Sequence, residues 1–268
     1  LEVSTVRTFA IAATLTVALS MVEAHAANDA PPVSEPSGQT PLSSDCQTPG
    51  VTITGSVPLP NVQKALKERK EIKIMTIGAS GSGMVHGTGQ PYFGIIEGLL
   101  ETTIPGVDVQ FIDRGVSGEL ARQVVARLKA EVALASPDLI LWQAGGPDAM
   151  AQVSPEEFEA DLDEAVGWLT DNRIDVVLVG VQYVRALRGD PKYQAIRLAV
   201  QRVAERRQVL RIGRYDAMQM LDRGRDAKTG VLRNEFALNE TGQACLAEYV
   251  VRAITTGVFL RLPSGPRR

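Results

Sequence analysis

The chain has 268 residues, with 28 basic against 31 acidic side chains, a net charge of -3 and 44% hydrophobic residues. That apolar content supplies a full core for one domain and excludes disorder throughout. The near-balanced charge excludes the basic stripe that phosphate neutralisation demands, so no nucleic-acid partner is expected. Two histidines and two cysteines are too few for Cys/His zinc clusters or iron-sulfur centres, and no metal or other cofactor is expected.

Residues 1-26 read as a secretory signal peptide. Arg7 precedes an apolar run from Phe9 to Val22, and Ala24-His25-Ala26 offers small residues to a signal peptidase. The run is shorter than the ~20 apolar residues of a bilayer span, and no later segment is apolar enough, so no membrane span is expected after signal removal. The expected location is periplasmic or secreted. Residues 27-60 hold seven prolines among Asp, Ser, Thr and Gly and read as an extended leader without a core of its own. An oxidising compartment makes Cys46 and Cys245 a disulfide pair, stapling leader to last helix; two unpaired thiols are the alternative.

From residue 61 to 268 the chain alternates short apolar strands with amphipathic helices. Strands are expected at Ile72-Ile77, Val107-Ile112, Leu139-Gln143, Val176-Val181 and Val209-Ile212. Phe158, Leu162, Ala165, Val166 and Leu169 keep a 3.6-residue period, and Ser154-Pro155-Glu156-Glu157 ahead of them is a capping box with proline in the first turn. Ile196, Ala199, Val200 and Val203 repeat the period, as do Leu246, Val250 and Ile254. Continuous apolar strands between helices mean an α/β fold with a five-stranded parallel sheet covered on both faces.

Ligands of such sheets bind beyond the carboxyl ends of the strands, so chemistry is sought in the residues that follow them. The first strand leads into Gly78-Ala79-Ser80-Gly81-Ser82-Gly83, the second into Asp113-Arg114-Gly115-Val116-Ser117-Gly118-Glu119, and the third into Gly145-Gly146-Pro147-Asp148. Gln182-Tyr183 follow the fourth, and the last helix opens at Asn239. The glycine-rich turn after the first strand does not fit a nucleotide loop. Met84 follows Gly83 where a Walker loop has lysine, and His86 stands where a dinucleotide fingerprint has glycine.

The runs IKIMTIGAS, DRGVSGE, DLILWQAGGPDAM and LNETGQACLAEYV, in this order and spacing, resemble the SGNH/GDSL hydrolases, most closely their exported bacterial branch. The resemblance spans about residues 45-258 and implies a flavodoxin-like three-layer α/β/α sandwich. It makes Ser80 the nucleophile and Gly118 the oxyanion-hole glycine. Where the family has Gly-x-Asn-Asp this chain has Pro147 in place of the asparagine donor. Where the family has Asp-x-x-His it has Asn234 and Ala237.

A serine hydroxyl is a weak nucleophile without an adjacent base, and loss of a triad histidine costs on the order of 10⁶ in turnover. Pro147 offers neither a side-chain amide nor a backbone N-H, and an ionised Asp148 would repel an oxyanion. After signal removal the one remaining histidine is His86, either a relocated base or an exposed loop residue; Glu235 and Glu240 are further carboxylates near the missing histidine. Asp113 reads as a turn residue. Trp142, Gln143, Asp148, Gln182 and Tyr183 are candidate crevice residues, with core burial the alternative for Trp142. Two readings stay open. One is an exported protein of this fold, catalytically impaired or inactive, whose crevice holds an acylated or carbohydrate ligand or a cell-envelope protein. The other is an active serine ester hydrolase of the carbohydrate acyl or acetyl esterase type with an unusual base.

Overall fold

The computed structural model describes residues 40-49, 55-78, 92-229 and 240-260, all within one structural unit spanning 36-268. Five strands form one parallel sheet: β1 (Glu71-Gly78), β2 (Asp108-Asp113), β3 (Leu139-Gln143), β4 (Asp175-Val179) and β5 (Leu210-Ile212), in the order β2-β1-β3-β4-β5. The helices among the described residues are α1 (Pro60-Arg69), α2 (Tyr92-Thr103), α3 (Ala121-Ala135), α4 (Gly146-Met150), α5 (Pro155-Asp171), α6 (Pro191-Arg207), α7 (Arg214-Thr229) and α8 (Glu240-Phe259). This is the flavodoxin-like sandwich. Its topological switch point lies between β1 and β3, where parallel α/β sheets open a crevice for ligands.

Successive side chains of a strand point to opposite faces, and each strand therefore feeds two cores. Ile72 and Ile74 of β1, Leu139 and Leu141 of β3, and Val177 and Val179 of β4 pack with Val62 of α1, Leu100 of α2 and Val250 of α8. Met75, Ile77, Ile140, Trp142, Val176 and Leu178 turn the other way, towards Val124 of α3, Phe158 and Leu162 of α5, and Ile196 and Val200 of α6. Burial on both faces leaves the strands as unbroken apolar runs.

The helix starts follow their sequence signals. Ser154 Oγ accepts the Glu157 N-H at 3.1 Å to open α5, and Asp190 Oδ1 accepts the Tyr193 N-H at 2.7 Å to open α6; in both helices proline occupies the first turn. Several strand ends differ by a residue or two from the sequence reading, most at the end of β4. β4 stops at Val179, not Val181: its partner β3 ends at Gln143, and the chain then turns at Gly145, whose φ is +92°. The Ala144 N-H takes the last carbonyl of β4, at 3.2 Å.

Residues 40-49, within the segment read as leader, lie against α8. Cys46 and Cys245 are joined in a disulfide. Around it, Tyr249 Oη donates to the Cys46 carbonyl at 2.9 Å, the Ser43 N-H to Glu248 at 2.8 Å, and Thr40 and Thr255 share a hydroxyl hydrogen bond of 3.0 Å. No helix among the described residues is long and apolar enough to cross a membrane.

Candidate functional site

Gly78 ends β1 at the switch point, paired in register with Gln143 of β3. Its φ is +77°, and a Cβ there would stand 2.6 Å from the Gln143 carbonyl oxygen and from the Trp142 ring, so only glycine fits. Two residues on, the chain reaches Ser80. Ser80, His86, Asn234, Glu235 and Ala237 lie outside the described residues, and Glu240 opens α8.

The loop after β2 is fastened to β1 at several points. Asp113 Oδ1 accepts from Thr76 Oγ1 at 2.7 Å and from the Gly115 N-H at 2.9 Å. The Arg114 N-H reaches the Thr76 carbonyl and the Val116 N-H the Gly78 carbonyl, each at 3.0 Å. Arg127 of α3 closes the loop from outside: its Nε and Nη2 grip the Glu119 carboxylate at 2.6 and 2.7 Å while Nη2 also meets the Arg114 carbonyl. A bidentate charge-assisted pair of this kind fixes orientation as well as adding energy. Within this frame Gly118 adopts a left-handed φ of +76°, with open space where a side chain would be.

The loop after β3 turns straight into the short helix α4. Gly145 needs its glycine too, since a Cβ there would meet Ile196 at 2.8 Å. Pro147 lies in the first turn of α4, where its missing N-H costs the helix nothing and supplies no donor to a ligand. Asp148, expected in the crevice, is 2% exposed. Its Oδ1 accepts the Ala121 N-H of α3 at 2.9 Å. Burial pushes its carboxyl above the ordinary range against the pull of that hydrogen bond. Asp148 thus joins the loops after β2 and β3, buried and bonded to the backbone of α3. Trp142, read as wall or core, is core. It is 1% exposed, because strand parity with Ile140 aims it into the α3/α5/α6 layer.

Gln143, Gln182 and Tyr183 remain partly exposed at the strand ends. The Gln182 carbonyl accepts from Tyr193 Oη at 2.6 Å, and burial raises the Tyr193 phenol to about 12, so it stays a donor. Tyr183 stands edge-on to Tyr215, with ring centroids 5.3 Å apart, and Arg197 stacks over Tyr215 at 4.6 Å. This aromatic-arginine group behind β4 and β5 escaped the sequence reading, as did the Glu119-Arg127 clamp. Arg214, 2% exposed at the start of α7, was equally hidden in a polar run. Among the described residues no group of three or more His, Cys, Asp or Glu could hold a metal ion.

A five-stranded parallel sheet of this order is the flavodoxin-like arrangement, which the SGNH/GDSL hydrolases share. The sequence profile of the Non-GDSL lipase-like family matches residues 45-260, and the chain belongs to that family. Two solved structures illustrate the fold. Axe2, an acetylxylan esterase from Geobacillus stearothermophilus, is 21% identical over 68% of this chain and 94% of its own, with a TM-score of 0.57. LAE5, an alpha/beta hydrolase enzyme from the metagenome of Lake Arreo, Spain, is 23% identical over 71% of this chain and 97% of its own, with a TM-score of 0.56. At these identities the likeness establishes the fold. Among curated proteins none matches this chain significantly.

Proposed function

We propose that this is an exported protein of the hydrolase fold whose ester chemistry is impaired or lost, and whose crevice still holds an acylated or carbohydrate ligand or a cell-envelope partner. The observation that carries the reading is Pro147 in the first turn of α4. The position that supplies an asparagine amide in the SGNH pattern here has no amide and no N-H, while its neighbour Asp148 is committed to Ala121. A developing oxyanion there meets fewer donors, a loss of roughly 10²-10³ in rate by itself. Ala237 at the histidine position removes the base in the same stroke, and losses within one catalytic unit do not simply add. The apolar run before Ala24-His25-Ala26 supports export to the periplasm or beyond.

One observation favours a working esterase instead: Gly118, at the oxyanion-hole position of the family pattern, keeps a left-handed backbone with open space beside it. An active enzyme would then use Ser80 with an unusual base such as His86. The acetylxylan esterase activity named for Axe2 makes acetylated carbohydrate the first ligand class to try. Hydrolysis of p-nitrophenyl acetate by the parent and by Ser80→Ala separates the readings. Equal, background rates fit the impaired protein; a parent rate abolished by Ser80→Ala establishes the esterase.

A further inference from the structure

At the amino ends of β4 and β5, roughly 16 Å down the strand from the switch-point end, lies a cavity of about 360 Å³. Its apolar lining includes Val57, Leu59, Ile174, Val176, Val209 and Leu210. Among the described residues that line it, the only charged one is Asp175, 6% exposed. The size is within the range of small-molecule sites, and apolar walls around one placed polar group are their usual form.

Two polar side chains at the rim bond elsewhere. Thr170 Oγ1 bonds back to the Val166 and Gly167 carbonyls of its own helix, and Gln208 Nε2 bonds to the Glu205 carbonyl. Asp175 is different. Its Oδ2 accepts the Asn61 and Val62 N-H groups, each at 2.9 Å, and its Oδ1 accepts Asn61 Nδ2 at 2.8 Å. A carboxylate offers roughly four acceptor positions, so one remains on Oδ1. Desolvation outweighs the three bonds and pushes the carboxyl up to about 6, with the Asp138 carboxylate adding to the rise. Asp138 is itself paired with Arg69 at 2.6 Å, which leaves Asp175 with neutral donors alone.

We infer that this cavity is a binding site for a small organic cation, a primary ammonium on a compact apolar body, whose head pairs with Asp175 and whose body packs against Ile174 and Val209. The site lies at the opposite end of the sheet from Gly118 and Pro147 and is independent of whether the protein turns over an ester. A cation there gains a charge-assisted bond in a place of low dielectric, and a neutral analogue of the same shape gains only the packing.

The test is an amide chemical-shift titration of the full chain with benzylammonium chloride, beside benzyl alcohol. The expected result is saturable shifts confined to residues 56-61, 174-176 and 208-210, with the alcohol weaker by about tenfold or more. In Asp175→Asn the two probes should bind alike. Should that variant fail to fold, Val209→Phe tests the same cavity by filling it, and both probes should lose binding. Equal affinity of amine and alcohol for the parent, shifts elsewhere in the molecule, or undiminished amine binding to Val209→Phe would overturn the assignment.

Discussion

At the carboxyl ends of the strands one exposed and one buried carboxylate hold loops in place; at the amino ends a third, buried one holds a helix and borders a cavity. Asp113 and Asp148 take the N-H groups of Gly115 and Ala121, and Asp175 takes those of Asn61 and Val62. The device is similar in both regions: an acidic side chain accepts backbone N-H groups, and at Asp148 and Asp175 these include donors that would otherwise be buried without partners. What differs is its neighbour. Beside Asp148 stands Pro147, which has neither a side-chain amide nor a backbone N-H to donate. Beside Asp175 the chain leaves space for a ligand.

The comparison can be broken first at the switch point. Gly78→Ala forces a Cβ into the Gln143 carbonyl and the Trp142 ring at a left-handed φ, and the expected cost is about 3-5 kcal/mol, read by urea unfolding. A loss under about 1 kcal/mol would mean that the top of the sheet is looser than drawn. Next in size is the disulfide, which closes a loop of 199 residues. Cys46→Ala/Cys245→Ala should lower stability by about 2-5 kcal/mol and expose amides of 40-49 to hydrogen exchange, leaving those of β3 protected.

The lower carboxylate gives a pH signature of opposite sign to that of an ordinary paired acid. Burial pushes the folded carboxyl of Asp175 up to about 6, above the ordinary aspartate value of about 3.9. Its contribution is therefore complete below pH 4 and is lost as the pH rises through 6, by about 3 kcal/mol at most. Subtracting the stability-pH curve of Asp175→Asn from that of the parent should reveal this fall. A difference that is flat or rises from pH 4 to 7 would contradict it. The smallest effect is expected for Asp148→Ala, which leaves the Ala121 N-H without its partner at a cost of about 1-3 kcal/mol by thermal unfolding.

Much of the fold is legible because two-sided burial writes each strand as a continuous apolar run, and all five expected strands are present within two residues at either end. The same burial hides the facing of Trp142, since in an all-apolar strand the alternation of polar and apolar residues that would reveal it is missing. Helix α7 carries too thin a stripe, Ala217, Met218 and Leu221 among Arg and Asp, for its period to stand out. The capping roles of Asp148 and Asp175 cannot be read locally. Their partners lie 27 and 113-114 residues away along the chain. The order of the site blocks was legible from motifs alone. Which members of those blocks are tied into the scaffold became visible only from the contacts of the loops after β2 and β3.

The central claim is that this crevice keeps its frame and lacks its donor and base. The most direct measurement is the hydrolysis of p-nitrophenyl acetate by Pro147→Asn/Asn234→Asp/Ala237→His beside the parent, each with and without Ser80→Ala. The account predicts a gain on the order of 10³ or more that disappears when Ser80 is removed. A parent already active through Ser80, and no faster after restoration, would contradict it.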